Sequence, residues 1–104
     1  MTTMTRHIDF SNKTKEIQLA AHTIGLDNKR PYQRHGKFFY RPYRNYFSTH
    51  GKDIYLSLWQ SLCDKGYAKC RNGYNPGNIV FWLTRAGLDW LGDELGITIY
   101  DEED

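Results

Sequence analysis

The stretch that decides the fold runs from residue 52 to residue 96 and reads KDIYLSLWQSLCDKGYAKCRNGYNPGNIVFWLTRAGLDWLGDELG. Its first part carries apolar residues at i, i+1, i+4, i+5 and i+8, the spacing of one helical face: Ile54, Tyr55, Leu58, Trp59 and Leu62. Gly66 follows at a position where helices commonly end. This pattern predicts a helix over Lys52–Lys65.

The remainder of this stretch predicts a β-hairpin followed by another helix. Two β-prone runs, 67–71 and 79–83, flank a loop rich in Gly, Asn and Pro. Thr84 is then a natural N-cap for a helix in which Leu88, Leu91 and Leu95 share one face. Gly87 permits close packing of this helix, and Gly96 ends it before a possible short third strand over 97–100.

Upstream, one further helix is predicted and one segment stays open. Ile17, Ala20, Ala21 and Ile24 lie at i, i+3, i+4 and i+7, which predicts a helix over about 13–24 that stops at Gly25. The segment 26–49 is interrupted by Pro and Gly, so we expect it to be irregular with one short helix or strand. Within it, residues 43–49 are either a helical turn or an extended segment.

These elements define a small single-domain α+β fold with about three helices, a hairpin and the possible third strand. The chain has 104 residues, enough for one core, and its five Phe, three Trp and eight Tyr indicate a core built from rings. We expect a flexible arm over 1–12, the domain over 13–100 and an acidic tail over 101–104. With no apolar run for a membrane span or a secretory signal, and two cysteines outside any C-x-x-C pattern, the expectation is a cytoplasmic protein without a redox motif.

The order helix, Gly, hairpin, Leu-Thr-x-x-Gly, helix over Asp53–Leu95 resembles the second half of a winged-helix domain, as in MarR-type and PadR-type regulators. This resemblance implies a winged-helix-like fold, with 52–65 entering the major groove of DNA and 71–78 as the wing. That helix nevertheless carries few groups able to read bases, so winged-helix shape is favoured over winged-helix DNA reading. The strings at 22–26 and 41–47 resemble small uncharacterised proteins of bacteriophages and prophages, which implies the cytoplasm of a bacterial host.

Charge is strongly segregated along the chain. Residues 28–52 contain seven cations and no acid, whereas the chain after Arg85 contains seven acids and no cation. Rings alternate with the cations, so this stretch has the composition of a surface that meets phosphates and stacks bases. The alternative is that the rings fill the core and the cations pair with the acidic end. The candidate binding residues are Lys29, Arg30, Arg34, Lys37, Arg41, Tyr43 and Arg44, with Arg34, Arg41 and Arg44 preferred, together with Arg71 and Tyr74 of the hairpin.

Catalytic chemistry has little support in the sequence. The four histidines, His7, His22, His35 and His50, form no metal-ligand pattern, and no phosphate-binding glycine motif occurs. We therefore expect no catalytic residue, metal or cofactor and a non-enzymatic protein. Two functions remain: a phage-type accessory or regulatory protein that binds nucleic acid, or a phage-encoded, anti-CRISPR-like inhibitor that binds a host defence protein or nucleic-acid enzyme. A homodimer through oppositely charged ends is possible with either.

Overall fold

The computed structural model describes residues 10–26, 29–50 and 54–100. They form an α+β domain with three helices and two three-stranded sheets, which confirms the predicted class. In chain order the elements are α1 (Lys15–Thr23), β1 (Tyr32–Arg34), β2 (Lys37–Tyr40), β3 (Phe47–His50), α2 (Leu56–Asp64), β4 (Ala68–Asn72), β5 (Asn78–Leu83), α3 (Arg85–Leu95) and β6 (Thr98–Ile99). Among these residues no helix has the length and apolar character that crossing a bilayer requires.

Helix α1 begins and ends through local hydrogen bonds that the sequence specifies. The Thr14 hydroxyl accepts the Ile17 N–H at 3.2 Å, which satisfies a donor of the first turn. At the other end Gly25 adopts φ +83°, and the Leu26 N–H donates to the Ala21 carbonyl at 2.9 Å, as in a Schellman motif. The predicted apolar face is buried, so the first helix is confirmed.

Helix α2 begins later than predicted. Its first residue is Leu56, and Ile54, which the spacing placed on the apolar face, lies in a turn with 80% of its surface exposed. Residues 52 and 53 of the predicted helix lie outside the described part. The later turns agree with the prediction, since Trp59 and Leu62 are fully buried and Gly66 follows with φ +81°. The N-cap residue of α2, Tyr55, makes no side-chain capping hydrogen bond, and apolar periodicity alone does not fix the residue at which a helix starts.

The predicted hairpin is strands β4 and β5, and β3 completes its sheet in the order β3-β5-β4. Residues 47–50 are therefore extended. Of the two alternatives for 43–49, a helical turn or an extended segment, the extended one is correct from residue 47 onwards. Just before β3, the Asn45 side-chain amide both donates to the Leu83 carbonyl at 3.0 Å and accepts the Leu83 N–H at 2.9 Å. We call this sheet, formed by β3, β5 and β4, the second sheet. Phe81 and Leu83 of its central strand β5 are buried, so one of its faces packs on the core.

The expectation of one short element within 26–49 was wrong, because β1 and β2 form a second hairpin there. Its two-residue loop, His35 and Gly36, has φ values of +53° and +79°, the type I′ turn that suits a tight hairpin. A His-Gly pair is not among the usual signals for this turn, and the sequence therefore gave little warning. The possible third strand over 97–100 is β6. It pairs in parallel with β2, so that β1, β2 and β6 form what we call the first sheet, and it does not extend the β4–β5 hairpin.

Helix α3 starts at the predicted N-cap and packs very closely on the start of β4. The Thr84 hydroxyl accepts the Gly87 N–H at 3.1 Å and donates to the Gly66 carbonyl at 2.7 Å. A Cβ on Gly87 would lie 2.0 Å from the carbonyl oxygen of Tyr67. Glycine is therefore required at this position by backbone contact, as the sequence predicted.

The winged-helix resemblance of Asp53–Leu95 stays a prediction from the sequence. The described elements in this stretch are α2, β4, β5 and α3, and β3 ends before them at His50. Phe10 packs against the core, and its carbonyl accepts a hydrogen bond from Gln18 Nε2 at 2.9 Å. Residues 1–9 of the predicted arm and the tail 101–104 lie outside the described residues.

Candidate nucleic-acid interface

The solvent face of the first sheet collects the rings and cations of the basic stretch. Side chains alternate between the faces of a strand, and paired residues share a face. Tyr40 and its partner Ile99 are buried, which places Phe39 and its partners Tyr32 and Thr98 on the opposite face. We call this opposite side the outer face of the first sheet.

Three rings cross this outer face as a continuous row. The ring of Tyr32 stacks on Phe39 with centroids 5.9 Å apart and planes at 28°, and Phe39 stacks on Tyr100 at 5.9 Å and 13°. Tyr100 follows β6, where its N–H donates to the Tyr40 carbonyl at 3.0 Å, so the strand pairing positions it. Tyr32, at the other end of the aromatic row, is 40% exposed. The row thus offers apolar ring surface to solvent on the outer face of the sheet.

Two cations lie directly opposite each other beside this row. Arg34 pairs with Lys37 across the hairpin, and both share the outer face with Tyr32 and Phe39. Both are exposed, and neither forms an ion pair with another described residue. Like charges opposite each other destabilise a strand pair. A bound anion relieves this repulsion, so the arrangement suits phosphate.

Arg41 adds a third cation at the far end of the row. It lies two residues beyond Phe39, and its guanidinium carbon is 4.9 Å from the centroid of the Tyr100 ring. A cation over a ring is held by the ring quadrupole, which orients the guanidinium without neutralising it. Arg34 and Lys37 therefore lie on the turn side of the aromatic row, and Arg41 lies on its other side, against Tyr100.

Tyr43, Lys29 and Arg44 form a separate cluster at the C-terminus of α1. The Lys29 ammonium lies 4.7 Å and the Arg44 guanidinium 5.4 Å from the centroid of the Tyr43 ring. Arg44 also donates to the His22 carbonyl at 2.6 Å, where a cation complements the negative end of the helix dipole. A Cβ on Gly25 would meet the Tyr43 ring, so the two residues are in close contact. Arg44 thus has a structural role that the sequence did not indicate.

The remaining predicted residues lie elsewhere. Arg71 belongs to β4 in the second sheet, on the face opposite to Phe81, and Tyr74 is fully exposed in the β4–β5 loop. Arg30 is exposed in the segment before β1. The structure therefore brings Arg34, Lys37 and Arg41 together on the outer face of the first sheet and divides the other candidates among separate surfaces.

Sequence reasoning missed the aromatic row itself. Tyr32, Phe39 and Tyr100 were not chosen as candidate binding residues. The alternation of 97–100 was a usable signal, whereas 37–40 reads Lys-Phe-Phe-Tyr and does not alternate. The meeting of Phe39 with Tyr100 depends on the parallel pairing of β2 with β6, which are separated by more than fifty residues. Such long-range pairing leaves no local mark in a single sequence.

Arg34 and Lys37 form no ion pair with an acid of the described residues. Asp89 pairs with Arg85 at 2.7 Å inside α3. Asp93 lines a small groove with Lys37, but the two form no ion pair. The four acids at 101–104 lie outside the described part of the chain.

Within residues 10–26, 29–50 and 54–100, no three His, Cys, Asp or Glu side chains come together in a group that could hold a metal ion.

No family model matches the chain, and neither the curated proteins nor the solved structures contain a match. The geometry of the outer face is therefore the feature that bears on function.

Proposed function

We propose that this protein binds single-stranded nucleic acid through the outer face of its first sheet. The observation that carries the proposal is the aromatic row of Tyr32, Phe39 and Tyr100, flanked by Arg34, Lys37 and Arg41. Rings on a sheet stack unpaired bases, and the flanking cations meet the phosphates that join them. The proposal makes the protein a binding module without catalytic residues.

Single strands fit this face better than a duplex does. Bases inside a duplex are covered by their neighbours, so aromatic rings on a sheet cannot stack on them. A duplex reader of the winged-helix kind would instead use α2 in the major groove. Two polar side chains at the end of α2 face α1: Lys65, the C-cap residue, pairs with Glu16 at 3.2 Å, and the Ser61 hydroxyl lies 3.5 Å from the same carboxylate. Helix α2 therefore offers few groups to base edges.

The test is fluorescence anisotropy of a labelled oligodeoxythymidine of about ten nucleotides and of a labelled duplex of equal length. Three phosphate contacts predict a salt slope near −2 for the single strand, since each contributes about 0.7. The affinity should then fall about 20-fold between roughly 50 and 200 mM salt. At each salt concentration we expect the duplex to bind at least about tenfold more weakly. Equal or tighter duplex binding would contradict the proposal, as would the absence of single-strand binding at the lower salt concentration.

A protein partner is the second candidate function, and a separate surface favours it. A groove of about 800 Å³ between α1, β3 and the start of α2 is lined by apolar side chains that include Phe10, Phe47 and Leu58. Ile54 at its rim is 80% exposed. Exposed apolar side chains around a groove are typical of protein contacts. If no nucleic acid binds even at low salt, this groove becomes the leading site and the inhibitor hypothesis the leading function.

The origin in a bacteriophage, the bacterial cytoplasm and the homodimer stay predictions from the sequence. The regulatory or accessory role follows from the nucleic-acid proposal only if a natural target is found. None of these changes the binding test, because it uses the isolated protein and defined oligonucleotides.

A further inference from the structure

Cys63 lies in α2 and Cys70 lies in β4, both outside the proposed interface. The fold brings these two cysteines close to each other. Helix α2 packs against β4. Cys70 of β4 pairs with Phe81, so the two share one face of the second sheet, and Phe81 stacks on Trp59 of α2 with centroids 5.0 Å apart. Cys70 therefore lies on the side of the sheet that faces α2.

The helix presents Cys63 to the same place. It follows Trp59 by four residues, about one turn, and packs half-buried against the core. After the turn at Gly66, strand β4 runs back along the helix, so Cys63 and Cys70 come to the same region between α2 and the inner face of β4. Two thiols brought to one region by a helix and an adjacent strand are placed for a covalent link.

We propose that Cys63 and Cys70 are an oxidation site at which a low-molecular-weight disulfide, such as oxidised glutathione, closes an intramolecular disulfide. The link would clip the last turn of α2 to β4, an edge strand of the second sheet. This inference does not depend on the proposed nucleic-acid function. The sequence holds no C-x-x-C motif that would have indicated this pair.

The reaction balances in two exchange steps. The exposed Cys70 thiolate attacks one sulfur of oxidised glutathione, forms a mixed disulfide and releases one glutathione thiolate. The Cys63 thiolate then attacks the Cys70 sulfur, forms the protein disulfide and releases the second glutathione. The protein loses two protons and two electrons, and one oxidised glutathione becomes two reduced ones.

The order of the two steps follows from the surroundings of each thiol. Burial raises the pKa of the Cys63 thiol, and the neighbouring Cys70 and Asp64 raise it further. Less thiolate is therefore present at Cys63 near neutral pH, and its sulfur is less accessible. The exposed Cys70 is the first to react and Cys63 is the resolving thiol.

The experiment treats the full chain with oxidised glutathione and measures intact mass under non-reducing conditions. We expect a loss of about 2 Da, one peptide linking Cys63 to Cys70, and a midpoint of thermal unfolding raised by roughly 10 °C. Dithiothreitol should reverse all three changes. In Cys63→Ser the same treatment should stop at a glutathione adduct of about 305 Da on Cys70, since the resolving thiol is absent.

Two results would overturn this inference. One is stable glutathione adducts on the wild-type chain, without the loss of about 2 Da. The other is a disulfide between two molecules instead of within one. The variant Cys70→Ser serves as the matched control and should react much more slowly than Cys63→Ser, because it retains only the half-buried thiol.

Discussion

Replacing Arg34 and Lys37 together by glutamate is expected to weaken single-strand binding by about 100-fold at moderate salt. Each phosphate contact contributes on the order of tenfold, and reversal also adds repulsion against the backbone. The salt slope should become shallower by about 1.4, because two contacts of about 0.7 each are lost. Both side chains are exposed, so circular dichroism and thermal unfolding should change little. Anisotropy titrations of the variant at several salt concentrations give both numbers.

The matched control is Lys69→Glu with Arg71→Glu. This pair makes the same change in net charge on an exposed strand, but on the outer side of the second sheet. The account predicts a loss of at most a few-fold, from the general field of the protein alone. An equal loss in both double variants would mean that net charge, and not the outer face of the first sheet, governs binding. A larger loss in the control would move the site to the β4–β5 hairpin.

Gly87→Ala should destabilise the fold by about 3 kcal/mol or more, although alanine is the better helix former by about 1 kcal/mol. The added Cβ would lie 2.0 Å from the Tyr67 carbonyl oxygen, and both sides of this contact are backbone. Relief requires α3 to move away from the start of β4, which disturbs the buried Leu88 next to it. A thermal or urea unfolding curve measures the effect, with a fall in the midpoint of roughly 10 °C or more.

Glu94→Ala is the control for helix propensity. This residue lies on the same helix, is exposed and forms no ion pair within the described residues. Its replacement should change the free energy of unfolding by no more than about 0.5 kcal/mol. If Gly87→Ala were neutral or stabilising, the close approach of α3 to Tyr67 would be wrong.

The parts of the fold that sequence predicted are those specified by local chemistry. The first helix carries its cap, its apolar face and its stop within a dozen residues, and Thr84 and Gly87 define the start of α3 in the same way. The hairpin β4–β5 is also local. The prediction for 26–49 was wrong because its turn, His35-Gly36, is not one of the Asn-Gly, Asp-Gly or Gly-Gly pairs that usually signal a type I′ turn. The strand that pairs with β6 was not predicted, because parallel pairing joins strands that are distant in the sequence.

The candidate site was predicted in composition but not in arrangement. Arg34, Lys37 and Arg41 were chosen because cations and rings alternate there, and the register of the β1–β2 hairpin puts the first two opposite each other. Nothing in the sequence separates them from Arg44, whose contact with the His22 carbonyl depends on the packing of two distant segments. Periodicity identifies a face only after the strands are known.

The central claim is that the outer face of the first sheet contacts single-stranded nucleic acid. The most direct measurement is a two-dimensional ¹H–¹⁵N NMR titration of the labelled protein with a short oligodeoxythymidine. The account predicts that the amide shifts concentrate at 32–41 and 98–100, with little change along α2. Shifts centred on 56–64 or on the 73–77 loop, or no shifts at saturating oligonucleotide, would contradict it.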